Sequence, residues 1–173
     1  MVTIMKWIER TFSFDYPVEL FPAIVERLRG TPVRLEELIK NVPYRLRTQL
    51  YGDSWSIQEH AGHLLDLEEL HIGRLDDFES DADVLRPADM SNKATNLANH
   101  NLKEAKDILA DFRSRRMEYV SRLESYDIDQ LSKAKLHPRL NKPMRIVDNA
   151  FFSAEHDDHH LALITALKLK LMQ

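Results

Sequence analysis

From Val18 to the end of the chain, apolar residues recur every three or four positions, with only short interruptions. That spacing places them on one face of an α-helix and leaves no run of the two-residue alternation a half-buried strand needs. Only Thr11-Phe12-Ser13-Phe14 alternates, and weakly. Just 4 glycines in 173 residues argue against a turn-rich β-sandwich. The length suits a single domain, 1–173, in which residues 1–16 are an extension without an assigned place. Four helical segments connected end to end predict an all-α four-helix bundle.

The first segment runs from Val18 to Asn41, with Val25, Leu28, Val33, Leu35, Leu38 and Ile39 as core positions. Gly30-Thr31-Pro32 interrupts it. Thr31 can cap a fresh start with Pro32 in the first turn, which predicts a break rather than one straight rod. The second segment opens on Ser56-Ile57-Gln58-Glu59, a capping box, and its periodicity continues through Leu64, Leu67, Leu75 and Phe78. Residues 80–99 are polar and read as a long connection with room for a short helix. Connections of that length are often lids or binding segments. The third segment covers 101–125, with Leu102, Leu109, Phe112, Tyr119 and Leu123 at helical spacing. A second long connection through His137-Pro138-Arg139-Leu140-Asn141 leads to the last segment, 144–171.

Charge and composition narrow the function classes. A net charge of −4 leaves no basic stripe for nucleic acid. No stretch approaches the roughly 20 apolar residues of a membrane span, and Glu9, Arg10 and Asp15 argue against a signal peptide. The absence of cysteine removes disulfides, thiolate metal sites and cysteine nucleophiles. These features together predict a cytoplasmic protein.

The 8 histidines carry the functional signal. In the last segment the apolar stripe passes through Ile146, Phe152, Leu163, Ile164, Leu167 and Leu171. His156 and His160 fall near its middle, His159 at its flank, and Asp158 opposite. Two imidazoles on a core-facing stripe need partners, because an unsatisfied buried polar group costs about 1–3 kcal/mol. A divalent metal satisfies both; so do carboxylates or water. The second segment offers His60, His63 and His71 as a third ligand, all within or beside its apolar arc, and the helical wheel does not choose among them. A rival scheme is a di-iron carboxylate site. Its ligands would come from Glu68-x-x-His71 and Asp157-x-x-His160, completed by Glu36 or Glu37 and Glu104 or Glu118. None of those last four glutamates sits in an apolar stripe, which counts against it.

Trp55-Ser56-Ile57-Gln58-Glu59-His60-Ala61-Gly62-His63-Leu64 resembles the W-S-x-x-E-x-x-x-H-L opening of the second helix in the DinB-like family. Glu155-His156-Asp157-Asp158-His159-His160-Leu161 resembles the H-x3-H-L of that family's last helix, and His137-Pro138 is similar to its loop. The resemblance covers Val18 to Leu171 in order and spacing. It implies metal ligation by His63, His156 and His160. It implies, too, a metal centre that transfers a low-molecular-weight thiol to, or hydrolyses, a small electrophilic substrate, and a homodimer; the preference of imidazole donors makes the divalent metal zinc or nickel. The family often carries a glutamine in the turn after its last ligand, where this chain reads Leu161-Ala162-Leu163-Ile164.

Around such a centre, His60, His159, Asp66 and Asp157 are candidates for a proton shuttle or for orienting the ligands. Trp55 can line the pocket or simply pack the helix start. Arg139, Asn141 and Arg145 can meet an anionic thiol or remain solvated loop residues. The competing class is a non-catalytic binding or regulatory bundle, with a structural metal or none.

Overall fold

The computed structural model describes residues 3–172. Eight helices are present among them: α1 (Phe21–Ile39), α2 (Tyr44–Arg47), α3 (Ile57–Asp66), α4 (Glu68–Glu79), α5 (Lys93–Leu97), α6 (Ala105–Glu124), α7 (Ile128–Leu131) and α8 (Ile146–Leu171). The bundle is formed by α1, the α3–α4 pair, α6 and α8. α1 packs on α8 and α6, and α3 packs on the same two helices. No helix among the described residues is long and apolar enough to cross a membrane.

The expected break at Gly30-Thr31-Pro32 does not occur, and α1 runs through Pro32 without interruption. A proline inside a helix leaves the carbonyl four residues earlier without its amide donor. Here that carbonyl belongs to Leu28, and the buried Arg116 of α6 donates to it instead, at 3.3 Å. Thr31 does not cap. Its hydroxyl lies against the Arg27 carbonyl and 2.8 Å from the Asp157 carboxylate. The unbroken helix keeps its phase, so Leu35 and Ile39 face inward while Val33, expected in the core, is 54% exposed.

The second segment starts at the expected cap. The Glu59 amide donates to Ser56 Oγ at 3.1 Å and the Ser56 amide to the Glu59 carboxylate at 2.8 Å. It divides into α3 and α4 at Leu67, where the backbone bonds from Leu67 to His63 and from His71 to Leu67 keep the two halves nearly in line. The third segment begins later than expected. His100–Leu102 form a separate 3-10 turn, held by Gln58 Nε2 donating to the His100 and Lys103 carbonyls at 2.6 and 2.8 Å. Leu102 is consequently 83% exposed rather than in the core.

A two-stranded hairpin, β1 (Ala134–His137) and β2 (Lys142–Arg145), was not expected. Its strands are four residues long and mostly exposed, too short and too polar for alternation to register. Asn141, with φ of 50°, makes the turn. The 80–99 connection is tied to this hairpin: the Leu85 amide donates to the Leu136 carbonyl and the Leu136 amide to the Asp83 carbonyl, both at 3.0 Å. Met144 is therefore a strand residue, and α8 starts two positions later than the apolar pattern suggested.

The core has two apolar parts. Phe21, Val25, Leu28, Leu75, Tyr119, Leu123, Val147 and Phe152 belong to one, and Leu35, Ile39, Ile57, Leu64, Ile108, Phe112, Leu161 and Ile164 to the other. On each bundle helix a polar residue separates the two stretches: Thr31, Glu68, Arg116 and Asp157, each fully buried. The N-terminal segment joins the first part through Phe12, which packs edge-on against Phe152.

Candidate metal centre

Three imidazoles converge from α3 and α8. His63, His156 and His160 each present a ring nitrogen, and these three atoms lie within 4.8 Å of one another. The four-residue spacing on α8 brings His156 Nε2 to 3.2 Å from His160 Nε2. Two nitrogens each about 2.1 Å from one tetrahedral ion sit about 3.4 Å apart, so the pair has the separation of co-ligands.

Partners on the far side of two rings set which nitrogen faces inward. Thr95 Oγ1 donates to Asp66 at 2.8 Å, so its lone pair is left to accept from His63 Nδ1 at 3.0 Å. That fixes the proton of His63 on Nδ1 and leaves Nε2 a bare lone pair, the form a metal ligand needs. His160 Nδ1 meets His60 Nδ1 at 2.9 Å, which likewise directs its Nε2 to the cluster. His156 differs: its Nδ1 is sealed from solvent with no hydrogen-bond partner. The donor set and the tautomers of His63 and His160 fit a divalent ion.

Burial keeps these rings neutral. It pushes His63 down to about 4, against an opposing pull from Asp66, and His60 to about 3, with His63 and His159 adding to the effect. His156 and His160 lie well below the ordinary histidine value, again through burial first and then through neighbouring imidazoles. Neutral imidazole is the ligating form, so no proton competes near pH 7.

A cavity of about 820 Å³ opens onto the cluster. Trp55 forms one wall, its ring centroid 4.7 Å from that of His63, and Trp7 another, edge-on to His156 at 4.8 Å. Leu163 lines it in the turn where the resemblance would have placed a glutamine.

Of the other residues named from sequence, His60, His71, Arg139 and the half-buried His159 also line the cavity. His60 sits behind His160, and Asp66 behind Thr95. Asp157 is a correction. It is bound to Arg116 and Thr31 and lies outside the cavity lining, so it is placed to hold the helices together rather than to pass a proton to a substrate. Asn141 is exposed in the hairpin turn and lies outside the cavity lining. Arg145 is held by Asp148 and by the Phe14 and Tyr16 carbonyls. The di-iron scheme fails on placement: Glu36, Glu37, Glu104 and Glu118 are exposed, and Glu68 is bonded to Arg116.

Trp7, Thr95 and His100 were not singled out from sequence. Trp7 belongs to an aromatic series with Phe12, Phe14 and Tyr16 that marks the N-terminal segment as packed. Thr95 and His100 lie in a polar connection without local signal. His100 Nε2 reaches Asp66 at 2.8 Å only because Gly62 lets its ring approach α3; a Cβ there would sit 2.2 Å from that ring.

Three neutral imidazoles thus meet at one point inside a helical bundle. The sequence pattern of the DinB superfamily matches residues 27–164, and the chain belongs to that family. Among solved structures it is similar to YfiT from Bacillus subtilis, described as a probable metal-dependent hydrolase with an unusual four-helix bundle topology. That likeness has a TM-score of 0.82 at 18% identity, over 95% of this chain and 94% of the other. No curated protein matches the sequence.

Proposed function

We propose that His63, His156 and His160 hold one divalent ion, zinc or nickel by the preference of imidazole donors, and that the protein is a metal-dependent enzyme. Its reaction is the hydrolysis of a small electrophile or the transfer of a low-molecular-weight thiol to one. The observation that carries this reading is the convergence of three neutral imidazoles, with their outer nitrogens already engaged or sealed, on one wall of a roomy cavity. YfiT's description supports the hydrolytic form. A bound ion supplies Lewis-acid chemistry there, lowering the pKa of a coordinated water or thiol toward neutrality.

The chain's own groups do the rest. Trp7 and Trp55 shield the histidines from bulk water and leave the cavity side open. Thr95, Asp66 and His60 hold the rings in their ligating tautomers. His159 has no hydrogen-bond partner among the described residues and lines the cavity beside Trp7, and we assign proton transfer to it.

Tag-free protein should contain about one zinc or nickel per chain by plasma mass spectrometry, and His156→Ala should contain none. Stoichiometric metal retained by His156→Ala, or no uptake by the wild type on titration, would overturn the assignment.

A further inference from the structure

A second set of polar groups in the same cavity is unaccounted for by the histidine cluster. Arg74 lines it from α4, only 3% exposed, and its one hydrogen bond runs from Nε to the Arg86 carbonyl at 3.3 Å. Both of its terminal nitrogens have no acceptor among the described residues. Arg139, from the hairpin turn, lines the same cavity, and its Nη2 is sealed from solvent without a partner. His137, 2% exposed, completes the set with an unpartnered, buried Nε2.

The proton on His137 can be placed. The Leu140 amide donates to His137 Nδ1 at 3.2 Å, so Nδ1 carries the lone pair and Nε2 carries the hydrogen. All three groups are therefore donors, and Arg74's terminal nitrogens, Arg139 Nη2 and His137 Nε2 have no acceptor among the described residues. Burial and the two arginines hold His137 down to about 4. Burial first, against an opposing pull from Tyr119 and Asp77 and with Arg139 and Arg86 adding to it, holds Arg74 down to about 10. Asp77, a carboxylate whose charge reaches Arg74, is taken by Arg86 through its side chain and amide. The carboxylates in the cavity lining, Asp53 and Asp89, are exposed, and Asp89 is bonded to Ser91 and the Lys93 amide. Two cations and an N–H left facing a cavity without a counter-ion form an acceptor-seeking surface.

We propose that Arg74, Arg139 and His137 form an oxyanion-binding subsite, which holds a carboxylate or phosphate of the small molecule that reacts at the three imidazoles. The reacting end of that statement rests on the metal-dependent reading; the anion site itself does not. An arginine pair suits either oxyanion, since each guanidinium can donate two parallel hydrogen bonds. Specificity then comes from a charged group distant from the reacting atoms, which is how remote contacts position a small substrate.

The test follows the melting temperature of metal-loaded and chelator-treated protein against sodium acetate and, separately, inorganic phosphate, at fixed ionic strength. A ligand of the native state raises the melting point in proportion to its occupancy. At least one anion should stabilise both forms, and the stronger of the two identifies the oxyanion. Arg139→Gln should weaken that anion about tenfold or more while keeping its metal content and its anion-free melting point. Arg74→Gln should do the same, but its burial puts folding at risk, so Arg139→Gln decides. Stabilisation that needs the metal and survives Arg139→Gln would mean the anion sits on the ion, and would overturn the subsite. So would no stabilisation by either anion. Because metal content is read in the same samples, loss of the subsite and loss of the metal centre are told apart.

Discussion

Two polar clusters share the middle of this bundle, and they are built on opposite terms. In the first, Arg116 is fully buried and spends all its N–H donors: on Glu68, on both oxygens of Asp157 and on the Leu28 carbonyl. Thr31 adds a bond to Asp157 and His71 one to Glu68. Burial alone would lower the Arg116 pKa and raise that of Glu68, but the opposite charges outweigh it and hold both groups ionised. In the second cluster the polar atoms are left open: His156 Nδ1, His137 Nε2 and Arg139 Nη2 are sealed and unpartnered. A saturated buried network holds four helices in register. An unsaturated one lining a cavity carries a cost that only a ligand offsets. Polarity in the core does not by itself mark a functional site; the saturated Arg116 network shows that.

Removing one member of each cluster should separate them most sharply. Arg116→Met strands two carboxylates in the core and should cost about 3–5 kcal/mol, a fall in Tm of about 6–20 °C. His156→Ala, compared in chelator-treated protein, removes an unsatisfied ring and should stay within about 1 kcal/mol of wild type. Urea unfolding of the three metal-free proteins reads both. If His156→Ala lost as much as Arg116→Met, the imidazole cluster would be a structural network like the first.

The same contrast explains what was readable beforehand. Helix existence follows from local periodicity and the Ser56 cap, and these are visible in any window of the chain. The continuity of α1 is not, because the donor that satisfies the Leu28 carbonyl freed by Pro32 comes from Arg116, 88 residues from Leu28. The hairpin escaped for a related reason, since β1 owes part of its pairing to Leu85 in a distant connection. Within the site, the wheel placed His156 and His160 on the core face but left His60, His63 and His71 equivalent. What distinguishes those three is their partners: His160 for His60, Thr95 for His63 and Glu68 for His71. Asp157 was misread for the same reason, being a neighbour of two histidines in sequence and a partner of Arg116 in space.

A middle-sized effect is expected at Asp66, behind the His63 ligand. Its carboxylate accepts from Thr95 and His100, and through Thr95 it sets the His63 tautomer. Asp66→Asn should lower metal affinity about 10–100-fold, the usual effect of altering a group behind a ligand. Competition with a chromophoric chelator measures it. An unchanged affinity would mean that the Thr95 contact does not govern how His63 presents Nε2.

The smallest effect concerns His137, and its sign follows from the shift. Burial first, and then Arg74 and Arg139, lower its pKa from 6.5 to about 4 in the native state. Between those values the unfolded chain binds a proton that the folded chain does not, so folding stability is intact above pH 6.5 and falls as pH drops toward 4. Asparagine at this position keeps an acceptor for the Leu140 amide and has nothing to titrate. The stability of His137→Asn should therefore decline less steeply over that range, by about one proton in slope. Urea unfolding at several pH values tests this. Saturating oxyanion should flatten the wild-type decline as well, because a negative charge beside His137 raises its pKa. Parallel slopes for wild type and variant would place His137 among the satisfied groups and move it to the other side of the comparison.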